Sequence, residues 1–368
     1  MSHLYFQGKY TRQAHKGIPD GAFEEEQGHK GFFGPVSHLI KPQPSTRWTK
    51  IEGPLRPHMY DLVKMSEQDG WQRMLYNQNL SISLLWMDAK PEYRSKGYRD
   101  GDGDLLYFCH KGAGEVWTEY GMLKYRKGEY IMIPKCLTHS IVPSERSMFL
   151  TIENRTSHFE EPDRGLVGRH AIYDPATLGK PELEEQHARM SALKAEVKEI
   201  TIKRLDDFTR FEYDSNYYDT LGWKGDLYPF TLHTENMMPL SSHRAHLPPS
   251  AHTTFVARDF VVCTFLPRPL ESDADALKVP FYHQNIDYDE VLFYHEGDFF
   301  SRDNLHAGMM SLHPMGFPHG PHPKAMKSVS TKTETSETAV MIDSRWPLTA
   351  DPLVGNVELK DYWKSWKG

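Results

Sequence analysis

Two histidines and one glutamate in the last quarter of the chain have the residue types and the spacing of a metal site. His283 is followed by Glu290 in the run His-Gln-Asn-Ile-Asp-Tyr-Asp-Glu, and His319 comes later, directly after Pro-Met-Gly-Phe-Pro. Two imidazoles and one carboxylate can fill one face of an octahedral metal ion and leave the other positions open, as in non-haem Fe(II) oxygenases. We therefore predict a metal ion at these three residues. Fe(II) is favoured over Zn(II), Mn(II) or Ni(II), because zinc enzymes usually have a fuller or differently arranged ligand set.

The residues between these ligands predict strands that would bring them together. Glu290 begins an apolar run that ends at Gly297, and Gly308 opens a second run that stops at Pro314. Apolar runs of this length that end at glycine and proline are typical of strands joined by turns. The full spacing, Glu-x6-Gly followed by Gly-x5-Pro-x-Gly-x2-His, is the pattern of cupin β-barrels. It predicts that Glu290 and His319 lie at the same end of a small barrel.

A second copy of this pattern lies upstream. Residues 104–112 align with residues 289–297 without a gap, and Gly128 to His139 repeats the Gly-x5-Pro-x4-His spacing. Internal self-similarity of this kind indicates a duplicated structural unit. We therefore predict a mainly all-β bicupin, with two jelly-roll-like β-barrels, a short linking helix and an N-terminal arm.

The upstream copy lacks two of the three predicted ligands. Leu105 stands where Glu290 stands, and Tyr98 falls where His283 falls, so that only His139 remains. A single histidine is a poor site for a divalent metal, and a leucine at the carboxylate position predicts a packed interior. We expect the first barrel to be structural and to bind no metal.

The composition along the chain predicts four parts. These are an N-terminal arm, a metal-free barrel, a linker with a helix and a metal-bearing barrel, at residues 1–75, 76–155, 156–200 and 201–368. The arm is rich in glycine, proline, histidine and lysine. Apolar residues recur at helical spacing only between residues 182 and 200, which predicts the helix of the linker.

The overall composition excludes several functional classes. The net charge is -7 and no run is rich in lysine or arginine, so the sequence predicts no nucleic-acid partner. The 25 prolines and 26 glycines suit many short strands and turns. The three cysteines are too few and too scattered for a disulfide framework. No stretch has the length and apolarity of a membrane span, and the first residues contain no apolar signal region, so we expect a cytoplasmic protein.

Several segments around the predicted site together resemble the homogentisate 1,2-dioxygenases, especially their shorter bacterial members. They are Leu221–Pro229, Phe281–Asn285, Asp289–Tyr294, Gly297–Arg302, Ser311–Pro314 and Pro318–Pro321. The resemblance implies an Fe(II) enzyme that cleaves the ring of homogentisate with O2 to give maleylacetoacetate, in tyrosine and phenylalanine catabolism. It also implies a homo-oligomer, a trimer or a hexamer built from trimers. The iron ligands of the family fall on His283, Glu290 and His319, the residues that the spacing predicts.

The resemblance also implies roles for neighbouring residues. The implied catalytic residues are His313 and Lys224, and the implied substrate-binding residues are Asn285, Phe299, Arg302 and Tyr282. The guanidinium of Arg302 suits the substrate carboxylate. Lys224 stands in the place of a family histidine, and lysine acts as a base only when burial or a nearby cation lowers its pKa. Phe299 stands in the place of a family tyrosine.

These two departures leave other functions open. The chain could cleave the ring of another hydroquinone or hydroxybenzoate, such as gentisate. A cupin that binds a metal without catalysis is a further alternative, although a site with three ligands and open positions speaks against it.

Overall fold

The described residues of the computed structural model are 5–32, 34–65, 68–278, 281–299, 305–322, 325 and 329–366. The chain divides into two compact units. The N-barrel unit comprises Ser66–Met238 and Thr349–Val354, and the C-barrel unit comprises Met1–Met65, Pro239–Leu348 and Gly355–Gly368. Within the described ranges, no helix is long and apolar enough to span a membrane.

The described residues fold mainly into β-strands. In chain order the strands are β1 (Phe23–Gly28), β2 (Val36–Lys41), β3 (His58–Asp61), β4 (Gly70–Tyr76), β5 (Leu80–Met87), β6 (Lys96–Asp100), β7 (Asp104–Lys111), β8 (Gly114–Thr118), β9 (Gly121–Tyr125), β10 (Glu129–Ile133), β11 (His139–Pro143), β12 (Ser147–Asn154), β13 (Glu199–Arg204), β14 (Asp207–Glu212), β15 (Phe230–His233), β16 (Thr253–Val256), β17 (Phe260–Phe265), β18 (Arg268–Pro269), β19 (Tyr282–Asn285), β20 (Asp289–Glu296), β21 (Met309–His313), β22 (Glu334–Thr335), β23 (Thr338–Ser344) and β24 (Thr349–Ala350). The described α-helices are α1 (Leu183–Leu193) and α2 (Pro352–Gly355).

The N-barrel unit is built from two sheets. A seven-stranded sheet has the order β15-β10-β7-β12-β5-β4-β24, and a six-stranded sheet has the order β14-β13-β6-β11-β8-β9. Leu105 and Phe149 of the first sheet pack with Val116 and Ile141 of the second in one buried apolar cluster. Side chains that alternate along each strand can fill the space between two such sheets, and burial of this apolar area drives their association.

The N-barrel unit extends beyond the boundary that the sequence predicts. Strand β13 pairs in parallel with β6, β14 pairs with β13, and β15 pairs with β10. These three strands lie in the predicted linker and at the start of the predicted metal-bearing barrel, yet the C-barrel unit resumes only at Pro239. Because strand partners are distant in sequence, the hydrophobic pattern reveals the strands but not the sheet to which each belongs.

The predicted helix of residues 182–200 is shorter in the structure. Helix α1 ends at Leu193, and Lys194 takes the left-handed conformation that often terminates a helix, with φ of 51°. Met190 packs with Trp117 and Met122, so the helix covers an apolar surface of the N-barrel unit itself. The apolar residues beyond Lys194 continue into β13 rather than into another helical turn.

The C-barrel unit has a six-stranded sheet with the order β16-β17-β23-β20-β21-β3. A three-stranded sheet, β19-β1-β2, and a two-stranded sheet, β18-β22, complete the unit. Strands β20 and β23 are buried along almost their whole length, as expected for central strands covered on both faces. The prediction of a mainly all-β bicupin is confirmed.

Most of the predicted N-terminal arm belongs to the C-barrel unit. Strand β1 pairs in parallel with β19, with Glu26 opposite His283, and β3 pairs antiparallel with β21. The end of the predicted arm, from Gly70, instead forms β4 of the N-barrel unit. Residues 23–61 are therefore structural elements of the barrel that contains the three predicted ligands.

Two cavities border the apolar cluster of the N-barrel unit. A cavity of about 290 Å³ is lined by Trp71, Tyr98, Tyr107 and His139. A second cavity of about 300 Å³ shares Trp71 and Tyr98 and also reaches Leu105. Leu105 itself is 2% exposed and packs in the apolar cluster between the two sheets, as the leucine at the carboxylate position predicts, and the two cavities border that cluster.

Candidate metal centre

The three predicted ligands converge in the C-barrel unit. The Nε2 atoms of His283 and His319 lie 3.6 Å and 3.3 Å from Oε2 of Glu290. One possible ligand atom from each residue lies within 4.8 Å of the others, and all three residues are buried. The structure thus brings together residues from β19, from β20 and from the segment that follows β21.

Backbone pairing fixes the two histidines next to each other. The amide of His283 donates to the carbonyl of His319 at 2.9 Å, and the amide of His319 donates back at 3.0 Å. The turn before His319 contains Gly316 with φ of 74°, a conformation that glycine adopts without strain. Gly297 directly follows β20, and a Cβ atom there would lie only 2.0 Å from the carbonyl oxygen of Ser336. The glycines of the motif are therefore required by the chain path.

Both candidate imidazole ligands are oriented by backbone carbonyls. Nδ1 of His283 lies 3.1 Å from the carbonyl oxygen of Phe281, and Nδ1 of His319 lies 3.1 Å from that of Phe317. A histidine whose Nδ1–H donates in this way presents Nε2 as a metal ligand. Nε2 of His283 is buried and has no hydrogen-bond partner among the described residues. A buried nitrogen without a partner costs about 1–3 kcal/mol, and a metal ion at this point would remove that cost. The residues therefore fit a divalent metal ion.

His313 contacts the candidate carboxylate ligand. It lies opposite Glu290 in the pairing of β20 with β21, and its Nδ1 is 2.9 Å from Oε1 of Glu290. The His313 ring is fully buried and lies 4.9 Å from the ring of His319. In this arrangement His313 orients the carboxylate of Glu290.

The charges around Glu290 favour its ionised form. Burial raises the pKa of Glu290, but His319, His283 and His313 together hold it well below its usual range. Burial and the charge of Glu290 raise the pKa of Asp343, its neighbour on β23, well above the usual range. The two shifts favour a negative charge on Glu290 rather than on Asp343, and on Glu290 it is available to a metal.

A cavity of about 70 Å³ opens onto His283 and Glu290, and its lining includes a histidine and an arginine that are not among the predicted site residues. One is His246, whose Nδ1 lies 2.9 Å from Oε1 of Glu271, so that Nε2 is the nitrogen available to a ligand. The other is Arg268, whose Nη1 lies 3.3 Å from the carbonyl oxygen of Leu266. The cavity thus combines an oriented imidazole and a guanidinium with the candidate metal centre.

No periodic pattern marks these two residues in the sequence. His246 precedes Leu-Pro-Pro, and Arg268 stands between two prolines. The proline-rich context indicates loops or strand ends, but it does not say which side chains meet. Only the tertiary fold places them beside His283.

Two of the predicted substrate-binding residues lie away from the cavity. Phe299 packs edge-on against Tyr294, with 5.0 Å between the ring centroids, in a buried apolar cluster. Tyr282 precedes His283 on β19, so strand alternation turns it to the other face. There it packs against Phe23 with 6.0 Å between the centroids, and burial raises its pKa to about 12.

The other predicted residues lie in different settings. Asn285 is at the end of β19, in register with Gly28 of β1. Lys224 is exposed and belongs to the N-barrel unit. Arg302 lies outside the described residues. The roles assigned to these residues by resemblance stay predictions.

Comparison with known proteins agrees with the motif. The family model described as homogentisate 1,2-dioxygenase N-terminal matches residues 22–233, and the C-terminal model of the same name matches residues 242–368. A protein of Saccharolobus solfataricus that is provisionally named a dioxygenase is 28% identical to this chain, over 100% of this chain and 99% of its own length. The homogentisate 1,2-dioxygenase of Caenorhabditis elegans is 24% identical over 89% of this chain and 77% of its own.

Other relatives are longer than this chain. The homogentisate 1,2-dioxygenase of Rhizobium leguminosarum bv. trifolii is 26% identical, over 73% of this chain and only 62% of its own length. Among solved structures, a cupin 2 conserved barrel domain protein from Leptotrichia buccalis matches 78% of this chain and 95% of its own, with 10% identity and a TM-score of 0.38. An oxalate decarboxylase of Bacillus subtilis matches 84% of this chain and 82% of its own, with 14% identity and a TM-score of 0.36.

The two family models together match most of the chain, on both sides of the boundary between its two units. Their matched ranges include the motif copies of both barrels and all three predicted ligands. The chain therefore belongs to the homogentisate 1,2-dioxygenase family and is a dioxygenase.

Proposed function

We propose that the chain is an Fe(II)-dependent dioxygenase that cleaves the ring of homogentisate with O2 to give maleylacetoacetate, a step of tyrosine and phenylalanine catabolism. The observation that carries this proposal is the cavity beside His283 and Glu290, which also contains His246 and Arg268. A phenol with an acidic side chain needs a metal, a proton acceptor and a cation, and this cavity offers residues for all three.

The metal would be held by Nε2 of His283, Nε2 of His319 and the carboxylate of Glu290. When bound, Fe(II) supplies a Lewis acid with open positions at which a phenol and O2 can meet. His313 keeps the carboxylate of Glu290 in place through the contact of 2.9 Å to Oε1. Hydrogen bonds of this kind to a ligand commonly set both its orientation and its affinity for the metal.

His246 is the proposed proton acceptor. Its Nδ1–H donates to the carboxylate of Glu271. The side chains of His246 and Glu271 are 10% and 8% exposed. A carboxylate that accepts from one imidazole nitrogen orients the ring and makes the other nitrogen a better base. His246 is therefore placed to take the proton of a phenolic hydroxyl at Nε2. This is the role that the resemblance assigns to position 224.

Arg268 is the proposed partner of the substrate carboxylate. Its side chain is 8% exposed, and the nearest described acid, Glu337, is 4.0 Å away from Nη1. A largely buried guanidinium can bind a carboxylate through two parallel hydrogen bonds. Phe265 and Phe281 line the same cavity and would keep water from the ring of a bound substrate. Whether Arg302 also binds the carboxylate stays a prediction.

The test is O2 uptake by the protein after anaerobic loading with Fe(II). On addition of homogentisate we expect consumption of O2 and substrate in equal amounts, with hydroquinone much slower because it has no carboxylate for Arg268. Faster turnover of gentisate than of homogentisate would move the assignment to that substrate. No uptake with any of the three, while metal analysis finds iron bound, would leave a metal-binding cupin without this activity.

A further inference from the structure

A second cluster of imidazoles and carboxylates lies in the N-terminal segment of the C-barrel unit. We call it the arm cluster, and its residues are His15, Glu24, Glu26 and His38. Glu24 and Glu26 point to the same face of β1, since residues two apart in a strand share a face. His38 lies on β2 directly opposite Glu26, and His15 precedes β1. Three of the four residues are buried, and the side chain of His38 is 22% exposed.

The contacts in the arm cluster follow a regular pattern. Nδ1 of His15 is 2.9 Å from Glu24, and Nδ1 of His38 is 3.4 Å from Glu24. The Nε2 atoms of the same two rings are 3.3 Å and 3.6 Å from Oε2 of Glu26. Each imidazole thus turns Nδ1 toward Glu24 and Nε2 toward Glu26.

Glu24 is held in place by further donors. The hydroxyl of Thr11 donates to its Oε1 at 3.0 Å, and the backbone amide of His15 donates to its Oε2 at 2.8 Å. The backbone of His15 is in the left-handed region, with φ of 61°, which is uncommon for a residue other than glycine. Nδ1 of His38 is buried and has no hydrogen-bond partner among the described residues. The carboxylate is therefore fixed, while Nδ1 of His38 faces it at 3.4 Å without forming a hydrogen bond.

The buried carboxylates of this cluster need positive charge. Among the described residues, the ion-pair partners of Glu24 and Glu26 are His15 and His38 alone. Lys41 pairs instead with Glu25, which points to the other face of β1. An uncompensated buried carboxylate is costly, so a cation or protonated imidazoles must balance the two charges.

We propose that the arm cluster is a second metal site, for a divalent first-row cation such as Zn²⁺. The ligands are Nδ1 of His15, Nδ1 of His38 and the carboxylate of Glu24, one atom of each lying within 4.8 Å of the others. Ligand atoms in a tetrahedral zinc site are roughly 3.3 Å apart, so small side-chain rotations close the site. With neutral imidazoles, one divalent ion balances the two carboxylates.

Glu26 has a different part in this site. Its Oε2 faces the Nε2 atoms of both His15 and His38, so it would accept a hydrogen bond from each ring. A carboxylate that accepts from the outer nitrogen of a metal-binding histidine fixes the tautomer and strengthens the ligand. The two-sided contact pattern is the one that such an arrangement requires.

A metal here would fasten the N-terminal segment to the strand of His283. The ring of His15 stacks on Phe281 with 3.9 Å between the centroids and an angle of 10°. Phe281 comes two residues before His283, and β1 pairs with β19. The proposed ion is therefore structural: it would hold β1 and β2 against the strand that carries one ligand of the candidate metal centre.

The test counts metal ions in a chain whose candidate centre has been removed. The double variant Glu290→Ala, His319→Ala is incubated with Zn²⁺, dialysed and analysed for metal content, with circular dichroism as the check of folding. We expect one Zn²⁺ per chain, lost when Glu24→Gln is added. Glu25→Gln is the matched control, because Glu25 lies on the same strand with its side chain on the other face, and this variant should keep the ion.

A second measurement does not depend on the double variant. It uses the chain with an intact candidate centre and follows the binding of Co²⁺ by its visible absorption. We expect two Co²⁺ ions per chain without a substitution in the arm cluster. The number should fall to one in His38→Ala and stay at two in Glu25→Gln. Equal metal content in the chain with Glu24→Gln and in the chain with Glu25→Gln would overturn the proposal. So would a folded double variant that holds no Zn²⁺, since paired imidazolium and carboxylate groups would then explain the cluster.

Discussion

The two barrels of this chain repeat one sequence pattern but differ in the chemistry of corresponding positions. In the N-barrel unit, Nε2 of His139 lies 2.7 Å from the hydroxyl of Tyr107, and burial lowers the pKa of His139 to about 4. In the C-barrel unit, the corresponding His319 faces the ionised carboxylate of Glu290. A neutral imidazole satisfied by a tyrosine attracts no cation, whereas an imidazole beside a buried carboxylate does. The barrels therefore differ in Glu290, which Leu105 replaces, and in His283, which Tyr98 replaces.

The size of the cavities does not separate them in the same way. The cavities in the N-barrel unit are about 300 Å³ and 290 Å³, and the cavity beside His283 is about 70 Å³. The larger spaces therefore lie in the barrel without the ligand set. The convergence of His283, Glu290 and His319, and not the volume, identifies the candidate site in this chain.

The largest expected effect comes from removing the carboxylate ligand that Leu105 replaces in the N-barrel unit. In Glu290→Ala we expect metal content and turnover to be lost together, with turnover reduced more than the roughly 10–100-fold typical of residues that only contact a ligand. Metal analysis and O2 uptake with homogentisate measure the two effects. Leu105→Ala, at the corresponding position of the N-barrel unit, is the control and should keep both. Full iron content and activity in the glutamate variant would contradict the site.

The next effect separates two candidate bases. Loss of a general base typically lowers the rate by about 10²–10⁴-fold, so we expect His246→Ala to reduce kcat to that extent while iron stays bound. Lys224→Ala should change kcat little, because Lys224 is exposed and the imidazole of His246 lines the cavity. Steady-state kinetics with iron analysis of both variants measures this. The reverse ranking would return the role to Lys224, as the resemblance implies.

The residues predicted from the sequence were those whose partners are fixed locally. Glu290 lies on one strand and His319 follows the next, and glycines and prolines at fixed spacing mark where those strands end. The two-barrel architecture was predictable for a similar reason, because the repeat spans consecutive strands within each barrel. Both predictions needed only the order of strands along the chain and the faces of those strands.

The features that sequence analysis missed depend on pairing between distant segments. The arm cluster exists because β1 pairs with β2 and with β19, which is more than two hundred residues away in the chain. His246 and Arg268 reach the cavity from segments without periodicity. The boundary between the units was placed too early for the same reason, since β13 and β15 pair with strands far upstream. Single-sequence patterns carry no information on which distant strands pair.

A smaller effect is expected from the residue that orients the carboxylate. His313→Ala removes the contact of 2.9 Å to Oε1 of Glu290 but leaves the three candidate ligands in place. We expect iron affinity to fall about 10–100-fold, the usual range for residues that orient a ligand. Competition with a chelator measures the affinity. Unchanged affinity combined with a large loss of kcat would instead favour a catalytic role for His313.

The smallest effect concerns the N-barrel unit and its neutral histidine. The pKa of His139 is about 4 in the folded chain and 6.5 in the reference state. Between these values the unfolded chain binds more protons than the folded chain, so stability falls as pH is lowered, by up to about 1.4 kcal/mol per pH unit.

His139→Gln keeps a hydrogen-bond partner for Tyr107 and removes this titration. We therefore expect the free energy of unfolding of the glutamine variant to depend less steeply on pH between 6.5 and 4, as measured by urea unfolding. The control is the same replacement at His170, whose side chain is 71% exposed. Equal slopes in the two variants would mean that the first barrel tolerates a charged imidazole, and the contrast with the C-barrel unit would then rest on Leu105 and Tyr98 at the positions of Glu290 and His283.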